Sequence, residues 1–257
     1  MMEDKIQFLK DKGWLLDDDK GLRPTIFIVS EKQGTELFKY GKPLAEKIAQ
    51  SIENEIPSIK EEYQKTGLSG KYHFDSLSFL ILSNVLLDNW QIMKMEEAYL
   101  KKENRPERHG KNYYAGFMEN NNYPKESFGI YGNQFNYIND STFLSIYGNN
   151  RNIPNDRLNS DPTFRDSVLM AAPKLTPVLY NLFDKLAEDY RPILLKILNE
   201  QSDYSYMVYE KTGYSDEITF EEFFIWWYHF IYTDATNILA KKNLLIIPGT
   251  ENFYYKH

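Results

Sequence analysis

The fold is decided by one stretch of sequence, ITFEEFFIWWYHFIYTDATNILAKKN, at residues 218–243. Thr219 and Glu222 have the spacing of a capping box, which is typical of a helix start. Aromatic and aliphatic residues then occur on all sides of the helix, as they do in helices of a protein interior. The sequence therefore predicts a central buried helix over residues 219–242.

Further helices are predicted toward the N-terminus. Residues 75–102 form the longest candidate, with Asp75 as its N-cap. Residues 43–56 place apolar side chains four apart, with Pro43 in the first turn and Pro57 as an interruption. The remaining predicted helices cover residues 2–12, 162–170, 174–189 and 191–200, several of them bounded by prolines.

One phrase occurs twice, as IYGNQFNYIND at 130–140 and IYGNNRNIPND at 146–156, with seven of eleven positions identical. In each copy a strand-like run precedes Gly-Asn, which favours a hairpin turn. We expect two consecutive hairpins that build a small antiparallel sheet. The alternative is a cation site made by side chains of the repeat, but the spacing lacks the calcium-loop pattern, so no metal is predicted. The candidate ligands would be Asn139, Asp140, Asn155 and Asp156.

Together these elements predict a mainly helical α+β protein. Its helix-bundle core carries the sheet of two consecutive hairpins and a wing-like N-terminal hairpin. We expect a single domain over residues 1–257, which can be subdivided into a wing-like lobe, residues 1–40, and a helical body, residues 41–257. The hairpin insert occupies residues 113–156 of that body.

Composition limits the compartment and the partners. The chain of 257 residues has no Cys, which excludes disulfides and thiolate metal sites and is typical of a reducing cytoplasm. No run of about 20 apolar residues is present, so no membrane partner is expected. A net charge of −7 argues against direct nucleic-acid binding. We therefore expect a cytoplasmic protein.

The candidate ligand site consists of polar and aromatic residues on the two most apolar predicted helices. Polar groups inside such helices need partners, so a pocket shared by the two helices would explain them. His229 could equally be a core residue satisfied by the backbone, and the polar stripe near residue 88 could face solvent. The predicted ligand-binding residues are Asn84, Asp88, Trp90, Trp226, His229 and Asp234.

A basic run, RPERHGKNYY at residues 105–114, precedes two tyrosines. Basic residues mixed with aromatics suit phosphate groups or single-stranded nucleic acid. Such a run is more often a solvated loop, which is the interpretation we favour here.

Catalytic motifs are missing from the sequence. It contains no Walker loop, no G-x-G-x-x-G, no G-x-S-x-G and no H-E-x-x-H. We predict no cofactor, no metal and no catalytic residue, and a non-enzymatic role is favoured without being established.

The segment FLKDKGWLLDDDKGLRPTIFIVSEKQGTELF, residues 8–38, resembles the end of a bacterial winged-helix transcriptional regulator. The matching parts are a short helix, a Gly-hydrophobic step, a two-stranded wing over residues 14–29, and Ser-Glu-Lys before the next helix. The wing tip, residues 17–19, is three aspartates, which repel phosphate. The resemblance implies the sensor portion of a regulator, not a DNA-reading element.

Three hypotheses for the function remain open. The first is a cytosolic, non-enzymatic module that binds a small molecule or a peptide, like the sensor portion of a regulator, with self-association as a further option. The second is a hydrolase that uses His229 with Asp234 or Glu222. The third is a structural or interaction protein whose contact surface is the sheet at residues 113–153.

Overall fold

The computed structural model describes residues 2–70, 72–119, 134–139, 142–148 and 176–247. It confirms a mainly helical α+β protein. The α-helices are α1 Met2–Asp11, α2 Glu31–Lys65, α3 Phe74–Phe79, α4 Asn89–Met95, α5 Thr176–Glu200, α6 Ser202–Lys211 and α7 Phe220–Lys241. The strands are β1 Leu15–Asp18, β2 Gly21–Pro24, β3 Phe27–Val29, β4 Glu107–Arg108, β5 Lys111–Glu119, β6 Gln134–Asn139 and β7 Thr142–Gly148. None of the helices in these ranges is long and apolar enough to cross a bilayer.

Helix α7 is the central buried element, as its sequence predicts. Most of its residues from Phe220 to Leu239 have almost no exposed surface. It packs along α2, where the Trp227 indole N–H donates to the Leu37 carbonyl at 2.9 Å. Gly41 allows the close approach, because a Cβ there would lie 3.1 Å from the Ile231 side chain.

Helix α2 runs without a break through Pro43 and Pro57, so the prediction of a helix that starts at the first proline and is interrupted at the second is wrong. Each proline costs one backbone hydrogen bond. The helix starts earlier, at Glu31, and the side chains of its N-cap Ser30 and of Gln33 form a capping box. Its apolar face is buried continuously from Leu37 to Tyr63, and this burial outweighs the local cost of the prolines.

Helix α5 likewise passes through Pro192 and joins the two helices predicted at 174–189 and 191–200. The predicted helix at 162–170 lies outside the described residues.

The long helix predicted from Asp75 is interrupted in the structure. It begins at Phe74 and continues as a π-helical turn over Leu80–Val85, then breaks before α4. At the break, Asp88 has φ −107° and ψ −106°, outside the helical region. A second π-helical turn, Glu96–Leu100, ends the segment. A π-helical turn rotates the side chains that follow it away from the positions they would have in a regular α-helix. The 3.6-residue periodicity of the sequence therefore does not predict where the polar residues near the break lie.

The main sheet has the strand order β3-β5-β7-β6, and β4 pairs with the first part of β5. Strand β3 is parallel to β5, whereas β5, β7 and β6 are antiparallel neighbours. The strand-like run after the first Gly-Asn, residues 134–138, and the run before the second Gly-Asn, residues 142–147, are both strands. They pair with each other, and β7 pairs with β5 along its other edge, so the return strand predicted to pair with residues 142–147 has no free edge of β7 to join. Their predicted partners at 127–131 and 150–153 lie outside the described residues, as do Asp140, Asn155 and Asp156.

The N-terminal hairpin is smaller than predicted. Strands β1 and β2 pair over residues 15–24, but residues 27–29 leave the hairpin and join the main sheet beside β5. Gly13, at φ 67°, ends α1 in the left-handed conformation before the hairpin. We call residues 2–24 the N-terminal lobe and residues 26–247, where described, the body.

Candidate functional site

The six residues predicted from the sequence are almost all in the interior. Five of them are buried and one, Asp234, is partly exposed. The buried ones are Asn84, Asp88, Trp90, Trp226 and His229.

His229 has the surroundings of a core residue. Its ring is fully buried, and Nδ1 lies 2.6 Å from the Ile225 carbonyl, so this nitrogen donates. The rings of Trp226 and Tyr232 lie with their centroids 5.3 Å from that of His229. An imidazole used in acid–base chemistry needs access to a substrate, which this position does not provide.

The polar groups of α7 and of the interrupted segment 74–100 do meet. The hydroxyls of Ser83 and Thr236 are 2.8 Å apart. The Tyr228 hydroxyl donates to the Leu87 carbonyl at 3.0 Å, directly at the helix break. Burial raises the pKa of Tyr228, and the charge of Asp88 adds to the effect. Polar groups of the two segments are therefore in buried contact, whereas a pocket shared by the predicted residues stays a prediction.

The other predicted residues lie toward different helices. Trp90 packs its ring against Tyr180 and Phe183 of α5, with centroids 5.9 and 5.4 Å away. Burial raises the pKa of Asp234, and Lys241 and Lys42 oppose the increase, which places this carboxyl near α2. A ligand site made by all six residues stays a prediction.

A cleft of about 480 Å³ opens between the N-terminal lobe and the body. One wall comes from the lobe and the start of the β3 segment, another from the β4 region, and the third from the chain that leads into α7. Its lining residues are Gly13, Thr25, Pro106, Glu107, Arg108, Tyr209, Ser215, Asp216, Glu217, Ile218, Thr219 and Glu222.

A buried ion pair between Arg108 and Glu222 forms the inner wall of this cleft. Nη2 of Arg108 donates to Glu222 Oε2 at 2.6 Å and to the Thr25 carbonyl at 2.5 Å. Nη1 donates to the Tyr113 carbonyl at 2.5 Å. The other carboxylate oxygen of Glu222 accepts the Ala115 N–H at 3.0 Å. One guanidinium thus holds together the lobe junction, β5 and the first turn of α7.

Two carboxyl groups of the cleft have shifted pKa values. Burial raises the pKa of Glu222 to about 7, although Arg108 and the Ala115 N–H act in the opposite direction. Burial and the neighbouring Asp216 raise the pKa of Glu217, and Arg23 opposes this shift. The cleft therefore contains two carboxyl groups with raised pKa values, Glu222 and Glu217. Its one guanidinium, that of Arg108, is already paired with Glu222.

Arg23 ties the lobe to the outer rim of the cleft. Its guanidinium donates to Asp18 within the hairpin, at 2.6 Å from Nη2, and to the carbonyl of Asp216 at 3.1 Å. Thr25 adds a bond from its hydroxyl to the Gly13 carbonyl at 2.6 Å. These contacts fix both sides of the opening.

Sequence reasoning noticed the two charged residues of the inner wall but assigned neither to a ligand site. Glu222 was expected to complete a capping box, and one half of that box is present, because the Thr219 hydroxyl accepts the Glu222 N–H at 3.2 Å. The carboxylate binds Arg108 instead of the helix start. The available signal was a Glu inside a helix that is apolar all round, which requires a buried cation as its partner.

Both arginines of the basic run at 105–114 form buried ion pairs with glutamates. Arg105 donates from Nε and Nη2 to the two oxygens of the buried Glu96, each at 2.5 Å. Arg105 and Arg108 are therefore structural cations, and His109 and Lys111 are the basic residues of the run that stay near the surface. Within the described ranges, no three His, Asp or Glu side chains are grouped as metal ligands.

The chain matches no protein-family model, and no curated protein or solved structure is significantly similar to it. The winged-helix resemblance of residues 8–38 thus stays a prediction.

Proposed function

We propose that the chain is a cytoplasmic, non-enzymatic binding module whose small-molecule or peptide ligand occupies the cleft between the N-terminal lobe and the body. The cleft carries the proposal. Its volume of about 480 Å³ lies within the range of small-molecule sites, and it lies at the boundary between two parts of the fold, where such sites are frequent. Nine of its twelve lining residues are polar or charged, so hydrogen bonds and charges orient the ligand.

Because the cleft lies between the N-terminal lobe and the body, a ligand bound there can stabilise the docked arrangement of the lobe. A ligand that contacts both walls binds the arrangement in which the lobe is docked on the body, and it stabilises that arrangement by mass action. At a ligand concentration of one hundred times Kd this stabilisation is about 2.7 kcal/mol. Docking of a wing-like lobe in response to a ligand is the behaviour expected of a regulator's sensor portion.

The test is a thermal-shift screen of metabolites and short peptides with the wild-type protein and with Ser215→Trp. Ser215 is exposed at the cleft, so an indole there occupies the ligand volume without disturbing the core. The matched control is Gln50→Trp, an exposed position in a separate groove between α2 and α5. We expect ligands that raise the melting temperature of the wild type and of Gln50→Trp but not of Ser215→Trp.

A screen without any stabilising compound contradicts the binding module. Compounds that stabilise both tryptophan variants equally place the site elsewhere and remove the cleft from the proposal.

The hydrolase hypothesis gains no support from the geometry, because His229 is fully buried and hydrogen-bonded to its own helix. The interaction-surface hypothesis depends on the 113–153 sheet, and the side chains of β6 and β7 lie outside the described part of the chain.

A further inference from the structure

The N-terminal lobe has no interior of its own. None of residues 2–24 is buried, and helix α1 and the hairpin β1–β2 consist of exposed and partly exposed positions only. Within the described chain, the lobe joins the body covalently at one point, after Pro24. A unit that buries so little is kept in place by its contacts with the body, so these contacts decide whether it can move.

The apolar contact between lobe and body is small. Trp14 packs on a cluster formed by Ile26, Tyr113 and Ala115, and this cluster is separate from the main core. Two cavities border the junction, the cleft of about 480 Å³ and a second cavity of about 250 Å³ that is lined in part by Trp14 and Tyr113. Parts of a chain that meet through a small contact surface move relative to each other unless other bonds hold them.

Two polar contacts supply most of this hold. The Trp14 indole N–H donates to the Tyr113 hydroxyl at 2.9 Å, and that hydroxyl donates to the Lys12 carbonyl at 3.4 Å. Separately, the Arg23 guanidinium donates to the Asp216 carbonyl at 3.1 Å. Both contacts are partly exposed, so water can replace either partner at a small cost in free energy.

Thr25 marks the point at which the lobe can rotate. Its N–H donates to the Trp14 carbonyl at 3.0 Å and its hydroxyl to the Gly13 carbonyl at 2.6 Å, so its donors belong to the lobe. Its carbonyl accepts from Arg108 of the body at 2.5 Å. Two residues later, strand β3 is fixed in the main sheet beside β5. A rotation at residues 25–26 therefore leaves the internal bonds of the lobe and of the sheet intact, as hinges at element ends do.

We propose that the N-terminal lobe is a lid on the cleft, which rotates at residues 25–26 and is held closed by the Trp14–Tyr113 and Arg23–Asp216 contacts. Because the lobe contributes Gly13 to the wall of the cleft, its rotation opens the cleft to a ligand. This purpose rests on the proposed function. The opening itself is a property of the ligand-free protein and is tested there, so a failed ligand screen and a lid that does not open are separate results.

The test uses an introduced thiol, since the chain has no Cys and a single new one reports on a single position. Ile26→Cys places it in the cluster on which Trp14 packs, and Ile52→Cys places it in the main core. Both positions are buried. The rate of alkylation by iodoacetamide under native conditions is measured by mass spectrometry and corrected for the global stability of each variant.

We expect the thiol of Ile26→Cys to react about 100-fold or more faster than that of Ile52→Cys, because opening of the lid exposes the first and only global unfolding exposes the second. Equal corrected rates overturn the proposal, since the lobe then leaves the body only when the whole protein unfolds. If Ile26→Cys does not fold, Ala115→Cys places the thiol in the same buried cluster, and the same comparison decides.

The first contact is tested by adding Tyr113→Phe to the thiol variant. The change keeps the ring but removes the acceptor of the Trp14 indole, so labelling should become about three- to tenfold faster. The matched control is Tyr204→Phe, which removes a hydroxyl bound to the Tyr40 carbonyl at 2.8 Å, away from the lobe. It should leave the labelling rate within about twofold.

The second contact is tested with Arg23→Met, which should also speed labelling about three- to tenfold. Its control is Asp18→Asn, which removes the ion pair of Arg23 inside the hairpin but keeps the bond from Arg23 to the Asp216 carbonyl. This control should change the rate by less than about twofold. Unchanged labelling in both Tyr113→Phe and Arg23→Met, or equal acceleration in the controls, overturns the proposal.

Discussion

Replacing Arg108 by Met should destabilise the protein by an amount that grows with pH. The change keeps much of the side-chain length but removes the donors to the carbonyls of Thr25 and Tyr113 and to Glu222. Two buried carbonyls that lose a charged donor cost together about 2–4 kcal/mol. This part of the loss does not depend on pH, because carbonyl groups do not titrate.

The pH-dependent part comes from Glu222. Its pKa is 4.5 when unfolded and is raised to about 7 in the folded protein, so the folded state retains a proton that the unfolded state releases. The contribution of this group to stability is therefore greatest below pH 4.5 and is lost as pH rises to about 7. Without Arg108 the folded pKa rises further, and the loss continues above pH 7 by about 1.4 kcal/mol per pH unit.

Chemical denaturation at pH 5, 7 and 9 measures both parts. The gap in unfolding free energy between wild type and Arg108→Met should widen by about 2–3 kcal/mol between pH 7 and 9. The control is the gap between Glu222→Gln and Arg108→Met/Glu222→Gln, which both lack the titrating carboxyl, and this gap should stay constant with pH. A constant gap for the single variant as well would refute the claim that Arg108 neutralises a buried Glu222.

The remaining predictions concern stability measured by the same denaturation assay. Gly41→Leu should cost about 1–3 kcal/mol or more, because the new side chain overlaps Ile231 where α2 meets α7, and an unchanged midpoint would contradict this contact. Thr219→Ala should cost about 1 kcal/mol through loss of the N-cap bond, whereas Thr219→Ser should be nearly neutral. Gly110→Ala should cost about 1–2 kcal/mol because of its positive φ, and no loss would argue against the described turn. His229→Ala should cost about 2–4 kcal/mol as a buried large-to-small change, and full stability would mean that the ring is not packed as described.

The central helix was predictable because its signals are local. The cap at Thr219 and the apolar circumference of the following 22 residues are properties of one segment, and both appear in the structure. The mainly helical class was predictable from such segments. The strands at 134–138 and 142–147 were predictable from their own local sequence.

The helix boundaries at prolines were not predictable in the same way. Pro43 and Pro57 carry a strong local signal against a continuous helix, yet α2 passes both. The deciding energy is the burial of a long apolar face against α7, which depends on where α7 lies and not on the residues beside each proline. The break at Asp88 shows the opposite case, in which an apolar segment without Pro or Gly is interrupted. The Leu87 carbonyl at the break accepts a tertiary hydrogen bond from the Tyr228 hydroxyl.

The cleft could not be found from the sequence because its inner wall joins residues 114 positions apart. Glu222 in an apolar helix requires a buried cation, but the requirement does not say which of the 30 Lys and Arg residues supplies it. Arg108 belonged to a run that looked solvated, and its neighbour Arg105 took a different partner, Glu96. The pairing depends on the tight turn at 109–110, which directs Arg108 inward and Lys111 to the surface. One turn thus places a buried structural cation and an exposed lysine three residues apart, a difference that no local pattern in the basic run reveals.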